Sequence, residues 1–171
     1  TWNEKFHAWQ QKPGTKMNGI ALMPEAIDNN PAATAFFADM PWQDGPVDPH
    51  AWFADYATAR YGAPDPHATA AWQIIADTAY SWPAGADTVH VTGLFDDQPG
   101  LGNTGTALRY DIATFDKALG ELLQVDPALR KSDAYRFDVV DVARQVLANH
   151  SRLLLPRIKA AYAAGDTALF D

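Results

Sequence analysis

The carboxylate in the clearest setting for chemistry is Glu25, which lies between a short apolar run and a helix start. Residues 20–23 are uniformly apolar, and this pattern predicts a strand that is buried on both faces, as in a parallel sheet. Asn30 can cap a helix whose first position is Pro31. Glu25 would then stand beyond the carboxyl end of a parallel strand, where barrel and doubly wound enzymes hold their catalytic groups. The alternative is a glutamate that only complements a helix dipole or faces solvent.

Two further patterns bear on cofactor and metal binding. Residues 100–105 spell G-x-G-x-x-G, but a dinucleotide-binding loop requires a strand before it and a helix directly after it, and the sequence predicts neither there. A flexible or sugar-facing loop fits this stretch better. The histidines lack the i, i+4 spacing of a helical metal pair, and the chain has no cysteine. The sequence therefore predicts neither a metal site nor a cofactor.

The composition is that of about one ordinary globular domain. The chain has 171 residues, of which 47% are hydrophobic and 20% charged, and its formal net charge is −8. This charge argues against a nucleic-acid surface, and no apolar run is long enough for a membrane span. The start of the chain does not resemble a signal peptide, and the lack of cysteine leaves the redox compartment open. The oligomeric state is not indicated.

The chain divides into two regions of different pattern. Residues 1–18 are predicted to be a polar loop that feeds the strand, and residues 31–41 a short helix. Residues 41–49 are rich in Pro, Gly and Asp, which predicts a domain boundary, with domains of residues 1–47 and 48–171. The second domain is predicted to be mostly helical because its apolar residues recur at helical spacing.

The sequence of the second domain contains recognisable signals for helix starts. Asp48 and Asp65 can each cap an apolar helical stripe, and a third helical stripe begins at Asp111. The first two of these helices are joined by few residues and should pack as an antiparallel pair. A last long helix is predicted over residues 132–164, with Pro156 expected to kink or divide it.

Several large side chains are interpreted as structural. Arg60 is assigned a structural role, and Arg144 is expected to be partly buried with Asp138 or Asp141 as its partner. Aromatic residues at helical spacing are assigned to the core rather than to a sugar-stacking surface: Trp42, Trp52, Trp72, Tyr56 and Tyr61.

Four segments, taken in order, resemble a known family. The first is the apolar run with Pro24-Glu25 and the Asn pair at 29–30. The others are Trp42 with Pro46-Val47-Asp48, Trp52 and Ala59-Arg60-Tyr61-Gly62; then Ala71-Trp72-Gln73-Ile74-Ile75 with Asp77-Thr78-Ala79-Tyr80; then residues 135–145. In this order the chain resembles the α-N-acetylglucosaminidases, glycoside hydrolase family 89.

The resemblance implies a fold and residue roles. The implied fold is mainly α: an antiparallel helical domain preceded by one strand from the end of a (β/α)8 barrel. By position Glu25 is the nucleophile of a retaining mechanism, and Tyr110 and Asn30 are the implied substrate contacts. Tyr110 stands in for a tryptophan that the family carries in this aromatic segment. Residues 84–107 are aperiodic and are expected to form a loop that rims the site on the side of Glu25.

The implied function is removal of terminal α-linked N-acetylglucosamine from glycans, so carbohydrate is the expected partner. Retaining hydrolysis uses two carboxyl groups about 5–5.5 Å apart, and the sequence offers only the nucleophile Glu25. The chain is therefore expected to be a piece of a larger enzyme, inactive alone, secreted or lysosome-like, with its acid/base residue elsewhere. The alternative is a non-enzymatic helical module that binds a partner or contacts carbohydrate. Flanking gene sequence distinguishes the two, because upstream alternating strands and helices would support the enzyme.

Overall fold

Helices form the regular structure of this chain in the computed structural model, which describes residues 2–23, 31–81 and 110–170. In chain order they are α1 (Trp2–Gln10), α2 (Pro31–Asp39), α3 (Pro49–Tyr61), α4 (Pro66–Asp77), α5 (Ile112–Leu122), α6 (Asp133–Ala164) and α7 (Thr167–Phe170). Short 3-10 turns cover Met40–Trp42 and Leu129–Lys131. The prediction of a mainly helical chain is confirmed.

The helix ends follow from local sequence signals. The carboxylates of Asp48, Asp65 and Asp111 each accept a backbone N–H of the first helical turn, over 3.1 Å, 2.8 Å and 2.8 Å. These bonds satisfy donors that have no partner within the helix. Gly62 and Gly165 end α3 and α6 in the left-handed conformation, with φ of 96° and 64°, where other residues are strained. The predicted helix starts are therefore confirmed.

α3 and α4 form the antiparallel pair that the sequence predicts. His50 at the start of α3 lies 2.8 Å from Asp77 at the end of α4. Between them, the rings of Tyr56 and Phe53 pack on Trp72 with centroids 4.9 Å and 5.8 Å away. Aromatic contacts of this kind contribute about 0.5–1.5 kcal/mol beyond the burial of their area.

Side chains of α5 and α6 complete the core around this pair. The hydroxyl of Tyr135 donates to the carbonyl of Leu122 over 2.9 Å, which joins the two helices inside the core. The assignment of aromatic residues to the core is correct for Trp52, Tyr61 and Trp72. It is wrong for Trp42, which is 86% exposed because it lies on a 3-10 turn rather than on a helical stripe. The residues that α5, α6 and the segment between them contribute to the hydrophobic core cluster are Phe115, Ala118, Leu122, Val125, Tyr135 and Val142.

Two expectations for the first residues are not met. Residues 2–10 form α1 rather than a loop, with Phe6 and His7 buried. The side chain of Asn3 bonds to the backbone carbonyl and N–H of Val47, over 2.7 Å and 2.9 Å, and so ties α1 to a distant segment. Residues 20–23 carry no strand and are mostly exposed. A strand needs a neighbour that pairs with its backbone groups, and the described residues supply none.

Contacts cross the predicted boundary between residues 47 and 48. The indole N–H of Trp52 donates to Asp39 over 2.8 Å. The same ring meets Phe36 edge-on, with centroids 5.0 Å apart. The division into domains of residues 1–47 and 48–171 stays a prediction.

α6 is a single helix of 32 residues, which at ~1.5 Å per residue is about 48 Å long. It continues through Pro156, so the proline does not divide it, although Pro156 has no N–H to donate to the preceding turn. No described helix combines the length and the apolar character needed to cross a membrane. The outward-facing apolar residues of α6 include Phe137, Val140, Leu147, Leu154 and Ile158.

Candidate functional site

Of the predicted site residues, Tyr110 is the one that the structure describes. Glu25 and Asn30 lie outside the described residues, as does the predicted loop of residues 84–107 with its G-x-G-x-x-G stretch. α2 begins at Pro31, where the sequence predicts a helix start. The roles of Glu25 and Asn30 stay predictions, and the site is built upward from Tyr110.

The phenol of Tyr110 is held by two side chains of α6. Its hydroxyl donates to Oδ1 of Asn149 over 3.2 Å and accepts from Nε2 of Gln145 over 3.4 Å. Nε2 of Gln145 also lies 2.8 Å from Oδ1 of Asn149, so the three groups form a closed triangle. The ring packs on Phe115 of α5, with centroids 5.2 Å apart and planes at 28°. We call Tyr110, Gln145 and Asn149 the Tyr110 cluster.

Asn149 is the most buried member of the Tyr110 cluster, with 0% of the residue exposed. Its Oδ1 accepts both hydrogen bonds, whereas its Nδ2 has no hydrogen-bond partner among the described residues. Asn149 also begins an Asn-His-Ser glycosylation sequon. A glycan-transferring enzyme cannot reach a buried side chain within a helix, so in the folded chain Asn149 serves as a hydrogen-bonding group.

The packing of α5 against α6 sets the geometry of the Tyr110 cluster. Gln145 and Asn149 are four residues apart, so they lie on one face of α6. Nε2 of His150, the residue after Asn149, lies 2.7 Å from Oδ2 of Asp116 on α5. Tyr110 itself is half-buried. The arrangement therefore presents an aromatic ring in a fixed orientation, and such a ring can stack on a sugar.

A second polar network contains the kind of perturbed carboxylate that is common in active sites. Asp138 accepts two hydrogen bonds from the Arg60 guanidinium, over 2.7 Å and 2.6 Å, and one from the Tyr61 hydroxyl over 3.0 Å. Burial raises the pKa of Asp138, and the bonds from Arg60 oppose part of that rise. Burial also raises the pKa of Tyr61, whose hydroxyl accepts from the Trp72 indole over 3.0 Å. These groups satisfy one another and join α3 to α6, so the network is structural.

The other ion pairs lie nearer the surface. Arg144 is more exposed than expected, with 45% of its side chain accessible, and it pairs with Asp141 over 3.0 Å. Histidines bridge successive helices through carboxylates, between α3 and α4, between α4 and α5, and between α5 and α6. In the part of the chain that the structure describes, no three potential ligands gather into a metal site.

Neither Gln145 nor Asn149 is predicted from the sequence to be a site residue. Their partner Tyr110 lies 35 and 39 residues away along the chain, and no local pattern reveals such a contact. The available signal was a pair of uncharged polar residues on one face of a helix, between the buried positions Val142 and Arg152. That signal alone also fits an ordinary solvent-facing helix surface.

Comparison with known proteins identifies a family whose sequences are similar to this chain. The family model of the alpha-N-acetylglucosaminidase (NAGLU) C-terminal domain matches residues 52–171. Human alpha-N-acetylglucosaminidase is 29% identical over 157 residues, which cover 91% of this chain and 21% of the human protein. The chain therefore spans about a fifth of the length of that relative.

Solved structures of a family 89 glycoside hydrolase from Clostridium perfringens are also similar. The complex with 2-acetamido-1,2-dideoxynojirmycin matches with a TM-score of 0.84 and 28% identity, over 98% of this chain and 20% of that enzyme. A variant in which two glutamates are replaced by glutamine, in complex with its substrate GlcNAc-alpha-1,4-galactose, matches with a TM-score of 0.80 and 29% identity. That match covers 90% of this chain and 18% of the other.

Proposed function

Because this chain belongs to the alpha-N-acetylglucosaminidase C-terminal domain family, we propose that it is part of a retaining glycoside hydrolase. The intact enzyme would remove terminal α-linked N-acetylglucosamine from glycans. The observation that carries this proposal is the family match over residues 52–171, together with similarity that extends over 91% of the chain. The chain alone is proposed to be inactive, because the second carboxyl group that the chemistry requires lies outside it.

The proposed mechanism assigns Glu25 as the nucleophile. Glu25 attacks the anomeric carbon while the acid/base group, about 5–5.5 Å away, protonates the leaving oxygen. Water then opens the glycosyl-enzyme, and the acid/base group takes its proton. A relative that holds its substrate after two glutamates were replaced by glutamine fits a mechanism with two essential glutamates. Tyr110 and Asn30 are the proposed substrate contacts.

Kinetics of the full-length enzyme that contains this chain test the proposal. Glu25→Gln keeps the size of the side chain but removes the nucleophile, and should lower kcat for an aryl α-N-acetylglucosaminide by about 10⁴-fold or more. The melting temperature should change little. Glu121→Gln is the matched control, since Glu121 lies on α5 and pairs with His67, and this variant should keep wild-type kcat. Near-normal hydrolysis by Glu25→Gln would show that Glu25 is not the nucleophile, whereas a wild-type protein without any hydrolysis would favour the non-enzymatic helical module.

A further inference from the structure

The Tyr110 cluster places an amide where an apolar side chain would pack more simply. Asn149 is completely buried, and its Nδ2 has no hydrogen-bond partner in the described ranges. A buried donor without a partner destabilises a fold, whereas a leucine of similar size would fill the space without that loss. The feature that distinguishes Asn149 from such a leucine is its Oδ1, which accepts from both Tyr110 and Gln145.

Contacts of two kinds fix the Tyr110 ring. Packing on Phe115, with planes at 28°, sets the plane of the ring but leaves it able to slide within that plane. The hydrogen bonds to Asn149 and Gln145 act on the hydroxyl at the far end of the ring. These bonds stop the ring from sliding within its plane. Because the bonds come from α6 and Phe115 belongs to α5, two helices together set the ring orientation.

We infer that Gln145 and Asn149 are positioning residues that hold Tyr110 in the orientation in which its ring contacts the N-acetylglucosamine unit. This inference rests on the proposed function, because it requires Tyr110 to contact the substrate. Gln145 and Asn149 act through the phenol and need not touch the sugar. A stacking contact of this kind binds ground state and transition state alike, so its loss raises KM and leaves kcat unchanged.

The test uses the full-length enzyme with Tyr110→Phe, Asn149→Leu and the double variant, assayed on the para-nitrophenyl α-N-acetylglucosaminide. Each single variant should raise KM by about three- to tenfold, because it removes hydrogen bonds that fix the phenol, with kcat changed by less than about twofold. The double variant should raise KM no further, because both changes break the same bond to the hydroxyl.

Tyr135→Phe is the matched control. It also removes a phenol hydroxyl that bonds inside the core, to the carbonyl of Leu122 over 2.9 Å, but it lies outside the Tyr110 cluster. It should lower the melting temperature and leave KM unchanged. An equal rise of KM in Tyr135→Phe would show that the cluster variants act through general stability, and would overturn the inference.

Other outcomes separate this inference from the proposed function. An active wild-type enzyme whose KM is unaffected by Tyr110→Phe and Asn149→Leu would overturn the positioning role alone. KM effects that multiply in the double variant would also overturn it, since they would come from independent causes. A wild-type enzyme without activity on the aryl glycoside would refute the proposed function itself. If Asn149→Leu fails to fold, Tyr110→Phe and Gln145→Met decide the same question, because each removes hydrogen bonds of the cluster and little volume.

Discussion

At the residue scale, Asp65 shows how one carboxylate fixes two pieces of chain. One oxygen accepts from the N–H of Ala68 over 2.8 Å at the start of α4, and the other from the N–H of Asp126 over 3.0 Å in the turn after α5. Burial alone would raise the pKa of Asp65, but the backbone N–H groups of Ala68, Asp126 and His67 together outweigh it. The pKa of Asp65 is therefore lowered, and the residue stabilises the fold as a carboxylate.

The stability that Asp65 provides should depend on pH. A lowered folded-state pKa contributes stability that is present above the unfolded value of about 3.9 and is lost as the pH falls through the folded value. Asp65→Asn turns an amide NH₂ toward the N–H of Asp126, and near neutral pH it should lower the free energy of unfolding by about 1–3 kcal/mol. The difference from wild type should shrink as the pH is lowered toward about 2, because protonation of the wild-type carboxyl group removes the charge that asparagine lacks. Urea unfolding of the 171-residue chain at both pH values measures this.

Asp48→Asn is the control for Asp65→Asn. Asp48 is exposed and accepts a single backbone bond, from His50 over 3.1 Å, which asparagine can also accept. Its replacement should change the free energy of unfolding by no more than about 0.5 kcal/mol. A loss of stability in Asp65→Asn that is the same at both pH values would contradict the role given to the charge.

At the element scale, replacing glycine by alanine should change the free energy of unfolding in opposite directions at two positions. Gly62 ends α3 with φ of 96°, whereas Gly120 lies within α5, where an added Cβ meets nothing within 4 Å. Gly120→Ala should raise the free energy of unfolding by about 0.5–1 kcal/mol, because alanine suits a helix interior and restricts the unfolded chain. Gly62→Ala should lower it by about 1–2 kcal/mol, because a Cβ is strained in the left-handed conformation. Thermal unfolding of both variants measures the contrast, and a shift of the same sign in both would contradict these helix bounds.

The elements that could be predicted from sequence are those whose signals are local. Asp48, Asp65 and Asp111 cap helices through bonds to the next few residues, so each start is encoded beside itself. α1 could not be predicted in the same way, because Asn3 is held by Val47, 44 residues away. Residues 20–23 have the composition of a buried strand, but strand formation depends on a neighbour that sequence pattern does not supply.

The candidate site shows the same contrast between local signals, which sequence reveals, and long-range contacts, which it does not. Tyr110 was singled out from its place in a family-like segment, and the structure gives it a defined setting on Phe115. The residues that hold it, Gln145 and Asn149, belong to α6, and only the packing of α5 on α6 brings them to the phenol, which lies just before α5. Glu25 and Asn30, outside the described residues, stay predictions that rest on the motif around them.

At the scale of the whole molecule, the chain spans about a fifth of the human relative, with 21% of its length matched. In the proposed mechanism, one of the two carboxyl groups belongs to this chain and the other belongs to the remainder of the enzyme. In this proposal Glu25 is the nucleophile, and its replacement should leave a gap that another small anion can fill. That expectation separates a nucleophile from an acid/base group or a merely structural glutamate.

The most direct measurement is azide rescue of Glu25→Ala in the full-length enzyme, with an activated aryl α-N-acetylglucosaminide as substrate. The variant alone should be inactive, because no nucleophile reaches the anomeric carbon. Azide should restore release of the aryl group and give a β-configured glycosyl azide, since the anion attacks from the side that Glu25 occupied. Formation of the α-configured azide would contradict the nucleophile assignment and point to an acid/base role. Full activity of Glu25→Ala without azide would refute any catalytic role for Glu25.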